Sequence, residues 1–72
     1  MRADDLIKDL RDSHAKAAKG DKVVTIHLFG IRNAQHLDGH NAYDIAEGAG
    51  IGRSFGTEIR KGMRLAEHVS LK

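Results

Sequence analysis

Six side chains near the C-terminal end of this chain have the types and spacing to grip a polyanion: Arg53, Ser54, Thr57, Arg60, Lys61 and Arg64. Guanidinium and ammonium groups neutralise phosphates. Arginine also reaches guanine edges, and hydroxyls hydrogen-bond to nucleic-acid backbone or bases. The spacing makes them act together. With Phe55 at 0° and about 100° per residue, Ile59, Gly62, Met63, Leu65, Ala66 and Val69 fall within roughly 80° of it on a helix. Arg53, Thr57, Arg60, Lys61 and Arg64 fall in a band on the opposite side. One face then reads as core and the other as basic and hydrogen-bonding. Arg53, Ser54 and Thr57 stand near the start of this helix, where base edges are usually read, and Arg60, Lys61 and Arg64 stand further along, where backbone contacts are made. The plainer reading of the same stripe is a solvated helix face. Charge is concentrated here. Residues 51–64 hold four cations against one anion, Glu58, a net +3, which leaves −1 on the remainder of a chain whose total is +2.

A stripe is useful only if something holds its helix rigidly. Asn41 is a good N-cap, with Asp44 three residues on to favour a helix N-terminus. That helix should run to about Gly48. Gly48, Gly50 and Gly52 then make a turn, and Arg53 or Ser54 begins the last helix, which should run to about His68. Two helices that cross steeply need a small residue at their closest approach and a glycine in the turn, where φ tends to be positive. Ala46 is the small residue and Gly50 the turn glycine. Ile45, Ala49, Ile51 and Ile59 take the surrounding apolar positions. The segment resembles the general helix-turn-helix pattern over roughly twenty residues. It departs from that pattern at Gly56, which stands where a branched apolar residue is usual, so Phe55 is expected to take over its packing.

The whole chain also resembles a small bacterial family described only as a helix-turn-helix-like domain. The segments that carry this are Ile26-His27-Leu28-Phe29-Gly30-Ile31, Phe55 to Gly62, and Leu65-Ala66-Glu67-His68-Val69. The resemblance covers nearly all residues and brings no catalytic residues with it. It implies DNA binding as a class, and fold alone does not fix function.

The first part of the chain must supply the rest of the core. Residues 3–19 form an amphipathic pattern with Ala3, Leu6, Ile7, Leu10, His14, Ala17 and Ala18 on one arc. Aspartates crowd its first turns and lysines its last, as the helix dipole prefers. Gly20 is the expected C′ residue, and Asp21 the expected N-cap of the next helix. Val23-Val24-Thr25-Ile26 is β-branched and strand-like. Its one partner candidate is Val69-Ser70-Leu71, and an isolated pair of strands is marginal in water. The spacing predicts a helix from about Asp21 to His36. Within it Val24, Leu28, Ile31 and Gln35 fit one row, and Ile26, Phe29 and Asn33 a neighbouring one. Gly30 inside that helix is unfavourable by roughly 1 kcal/mol relative to alanine, which points to close helix packing there. Residues 37–40 read as a turn.

Size and composition bound the answer. Seventy-two residues make one domain with a modest core. Cysteine is absent, so disulfides and thiolate zinc sites are excluded, and proline is absent, which favours uninterrupted helices. No apolar run approaches a membrane span and no signal-peptide core stands at the N-terminus, so a cytoplasmic protein is expected. Other constellations carry less. Gly48-Ala49-Gly50-Ile51-Gly52 lacks the βαβ context of a nucleotide fingerprint. His36 and His40 are four apart, but Gly39 breaks the helix that would align them, and only Asp38 is near as a third ligand. His14 and His27 read as partly buried core histidines, and His68 as a partner of a helix C-terminus. No nucleophile–base or paired-carboxylate arrangement stands out. The expected fold is therefore all-α, a compact four-helix domain whose last two helices form a helix-turn-helix, with residues 69–71 the one candidate for a short C-terminal strand. The expected function is a small DNA-binding, transcription-regulator-like module without catalytic activity, cofactor or metal. Its expected partner is double-stranded DNA, as a homodimer if it reads a specific site. The alternative is a protein-interaction or oligomerisation domain using the same helix pair.

Overall fold

A computed structural model describes residues 2–69. The chain runs α1 (Ala3–Lys16), a 3₁₀ turn (Lys19–Asp21), α2 (Lys22–Arg32), α3 (Ala34–Leu37), α4 (Ala42–Gly48), a second 3₁₀ turn (Arg53–Phe55) and α5 (Gly56–Leu65). The fold is all-α, with no strand among the described residues. Of the strand candidate at 69–71, residues 70 and 71 lie outside the described residues and Val69 belongs to no regular element. The core is aliphatic around one aromatic ring. Leu6 and Leu10 of α1 meet Ile26 and Phe29 of α2, Leu37 of α3, Ile45 and Ala46 of α4, and Ile59 of α5.

α1 ends earlier than its pattern suggests. Ala17 is already extended, with ψ 141°. The cause lies in α2, where the Lys22 ammonium reaches back and donates to the carbonyls of His14 (2.7 Å) and Ala17 (3.3 Å). A cation placed on the last carbonyls satisfies orphan acceptors and opposes the negative end of the dipole. Gly20 is therefore not a left-handed C′ residue, and Asp21 makes no side-chain cap to α2. Burial beside α2, and next the Lys22 charge, push the His14 imidazole below its usual pKa.

The β-branched run at 23–26 is helical because it has helices, not a strand, to pack on. The row of Ile26, Phe29 and Asn33 is the buried one, whereas Val24 and Leu28 are 54% and 38% exposed. The helix expected to reach His36 breaks at Asn33 (φ −110°, ψ 18°). The buried Asn33 amide donates to Phe29 O (3.2 Å) and to Asp9 Oδ2 (3.1 Å), while the exposed Arg32 pairs with the same carboxylate. That fastening to α1 separates α2 from the single turn α3, so among the described residues five α-helices stand where four were expected.

α2 and α5 cross at glycines. A Cβ built on Gly30 would stand 2.5 Å from the Ile59 carbonyl oxygen, and one on Gly62 would stand 2.4 Å from that of His27. The close packing expected at Gly30 is thus present, with Gly62 as its counterpart.

The first helix of the pair that begins at Asn41 agrees closely with its sequence signals. Asn41 Oδ1 accepts from the amides of Tyr43 (2.9 Å) and Asp44 (3.2 Å). α4 closes with Ile51 N–H donating to Ala46 O and Gly50 N–H to Glu47 O, the paired bonds of a Schellman motif with Gly50 at C′ and φ +77°. Because a β-carbon is penalised at that φ, Gly50→Val is expected to lower stability by about 1–2 kcal/mol, read as the urea midpoint. An unchanged midpoint would show the turn to be built otherwise.

Candidate nucleic-acid interface

The last helix starts later and ends sooner than its pattern suggests. Arg53 and Ser54 lie in the 3₁₀ turn ahead of it. Residues 66–68 form a tightened turn in which Glu67 N–H donates to Arg64 O and His68 N–H to Leu65 O. Gly56 opens α5 and is buried. A Cβ on it would meet Tyr43 Cα at 2.6 Å, so it is the point at which α5 touches α4. The glycine that departs from the usual pattern is therefore a contact, with Phe55 beside it, partly buried against the core. Ile59 and Gly62 are buried below, and Met63 packs on the core. Leu65 and Val69, expected on the same buried arc, are 43% and 47% exposed. α2 crosses at Gly62 and so does not cover them.

Arg53, Ser54, Thr57, Arg60, Lys61 and Arg64 are all exposed. They differ in what already holds them. Arg53 Nη1 is paired with Asp44 Oδ1, and Glu47 Oε1 stands 3.7 Å away, so both carboxylates of α4 face it. Thr57 Oγ1 shares a hydrogen bond of 3.3 Å with the Tyr43 hydroxyl. That bond first, and then the charge and hydrogen bonding of Arg60, draw the Tyr43 phenol below its ordinary pKa. Lys61 donates to Glu58 Oε2 (3.2 Å). Among the described residues, neither Ser54 nor Arg64 carries a side-chain hydrogen bond or ion pair. The stripe is therefore electrically uneven. At its start, one arginine is matched by two carboxylates. At its far end, Arg60 and Arg64 are exposed and form no ion pair among the described residues, with Asp38 and Glu67 lining the same groove.

Tyr43 is the member of this face that residue type and spacing did not reveal. Its one sequence signal was the glycine at 56, which leaves room for a bulky neighbour. Glu58 falls near the edge of the apolar arc, where it is open to pairing with a basic residue of another helix, and it does so. Its Oε1 accepts from His27 Nε2 at 2.7 Å, which ties α5 to α2 across the crossing. The His27 hydrogen bond first, then that from Lys61, holds the Glu58 carboxyl below the usual carboxylate range. A depressed folded-state pKa contributes stability above the unfolded value, and that stability is lost as pH falls through the folded pKa. Glu58→Gln is therefore expected to lower the melting temperature at neutral pH and to flatten the loss of stability below about pH 4.5. Parallel acid-unfolding curves of variant and parent would contradict the pairing.

Two clefts flank the stripe. One is an open groove between α2, α3 and α5 whose walls include Ile31, His36, Arg60 and Met63. The other is smaller and lined by His27, Lys61, Arg64, Leu65 and His68. Among the described residues no group of three or more histidines, cysteines or carboxylates is placed to hold a metal, and no helix is long and apolar enough to cross a membrane. A family model described as an HTH-like domain matches residues 2–72. No curated protein and no solved structure matches the chain.

Proposed function

The chain belongs to the HTH-like domain family, and on that premise we propose that it is a small DNA-binding, transcription-regulator-like module without catalytic activity, working in the cytoplasm. The observation that supports this reading is the placement of Thr57, Arg60, Lys61 and Arg64, all exposed, on the side of α5 turned away from the buried Ile59 and Gly62. In this reading Arg60, Lys61 and Arg64 neutralise phosphates of a duplex. Arg53, Ser54 and Thr57 stand closer to base edges, and Tyr43 steadies Thr57 and Arg60. Because Asp44 and Glu47 already face Arg53, its net contribution to phosphate attraction is small. A module of one core reads a two-fold site only as two copies.

The test is a titration of random duplex DNA by fluorescence anisotropy at rising salt. Binding should weaken steeply, and Arg64→Ala should reduce the log–log slope by about 0.9, one phosphate's share. Arg53→Ala should leave that slope nearly unchanged. Absence of duplex binding at low salt would sink the reading. A second reading, a protein-docking module on the same helix pair, is favoured by one specific observation: apolar side chains lie exposed beside the stripe.

A further inference from the structure

The small cleft on the α2 side of the stripe has a composition of its own. Leu65 is 43% exposed at its floor, and His27, Lys61, Arg64 and His68 stand around it. Among the described residues no carboxylate lines it. Glu58, which pairs with two of the lining residues, has one oxygen engaged by His27 and the other by Lys61. Arg64 has no side-chain partner among the described residues. On α2, Leu28 and Val24 are also exposed. An exposed apolar side chain rimmed by charge, with Arg64 unpaired and Lys61 held by a single exposed bond to Glu58, has the composition of an interaction surface.

Three occupants are chemically conceivable, and the charges choose among them. A second copy packed about a two-fold axis would set Lys61, Arg64 and His68 near their own equivalents, so like charges would meet. A duplex presents phosphates to the cations but has nothing to fill a leucine-floored cleft. An amphipathic peptide with carboxylates flanking an aliphatic side chain satisfies both features: the side chain covers Leu65, and the carboxylates meet Arg64 and Lys61. We propose that this cleft docks an acidic, leucine-type amphipathic segment of another protein. Its contacts share Lys61 and Arg64 with the DNA reading, but the proposal does not depend on that reading.

The probe is a short fluorescent peptide of glutamates with two leucines one helical turn apart. Two control peptides replace the glutamates with lysines or the leucines with serines. The acidic leucine peptide should bind the full chain and both controls should not. Leu65→Ser, at an exposed position that leaves the core intact, should weaken peptide binding by about tenfold, the size of effect that loss of an anchoring contact produces. It should leave the melting temperature and duplex binding unchanged. Arg64→Glu should abolish peptide binding. Peptide binding with no duplex binding would remove the DNA reading and leave this one standing. Equal peptide binding by Leu65→Ser would overturn the proposal. So would preference for the lysine peptide, or a self-association in sedimentation that Leu65→Ser abolishes.

Discussion

Gly30→Ala should lower stability by about 2–3 kcal/mol, and Gly30→Val should leave the chain unfolded at room temperature. The new Cβ would lie 2.5 Å from the Ile59 carbonyl oxygen, 2.9 Å from Gly62 Cα and 3.0 Å from the Met63 nitrogen. All three are backbone atoms, so no rotamer change relieves the contact and the two helices must separate. Against this, alanine is favoured over glycine inside a helix by about 1 kcal/mol, which lessens the loss without reversing it. A domain of this size has only about 5 kcal/mol in hand, so the separation of α2 from α5 consumes most of it. Urea unfolding followed by circular dichroism measures the effect. Gly20→Ala is the matched control, because nothing lies within 4 Å of a Cβ there. A Gly30→Ala midpoint no lower than that of the control would show that the crossing is looser than described.

The largest effect on binding is expected from removing Arg60, Lys61 and Arg64 together. In the DNA reading each neutralises about one phosphate, so the triple alanine variant should flatten the salt slope by about 2.7 and lose duplex affinity by about a hundredfold or more at low salt. The loss should be the same for every duplex sequence, since backbone contacts carry no sequence information. The fold should survive because all three positions are exposed, and the parent's melting temperature is the check. Lys61 also donates to Glu58, so a small fall in stability is expected from that residue alone. Thr57→Ala should act differently, altering preference among sequences while leaving the slope in place. Binding by the triple variant equal to that of the parent would move the function to a protein partner.

Much of this architecture is written in local signals. The Asn41 cap and the Gly50 turn are each decided by residues within one turn, and the structure shows both, with Ala46 buried between them. Residues 23–28 are helical, as their spacing predicts, because the chain offers those β-branched residues helices to pack on. The misread features share one cause: they depend on partners distant in the sequence. α1 stops at Lys16 because Lys22 caps it from the next element. α2 breaks at Asn33 because Asp9 waits on α1. Gly56 looked like a defect because Tyr43, the residue opposite, is thirteen positions earlier and on another helix. The pairing of Arg53 was hidden because its partners, Asp44 and Glu47, reach it across the turn. Leu65 sits at the edge of an arc that a wheel counts as buried, yet a wheel carries no information on where the covering helix crosses. The stripe itself was legible from residue type and periodicity. Its uneven charge was not, since neutralisation is a property of three-dimensional neighbours.

The glycine crossing also bears on how the molecule breathes. α2 has eleven residues and α5 ten, each with a glycine in its interior. Helices this short are marginal alone, and a central glycine weakens them further. Neither persists without the other, so α2 and α5 form one cooperative unit that opens in a single step. Amide protons at the centre of α2 then exchange with solvent only when α5 is also released. Any ligand seated on α5 slows that opening by mass action, and the slowing appears at Ile26 and Phe29, on a helix the ligand need not touch.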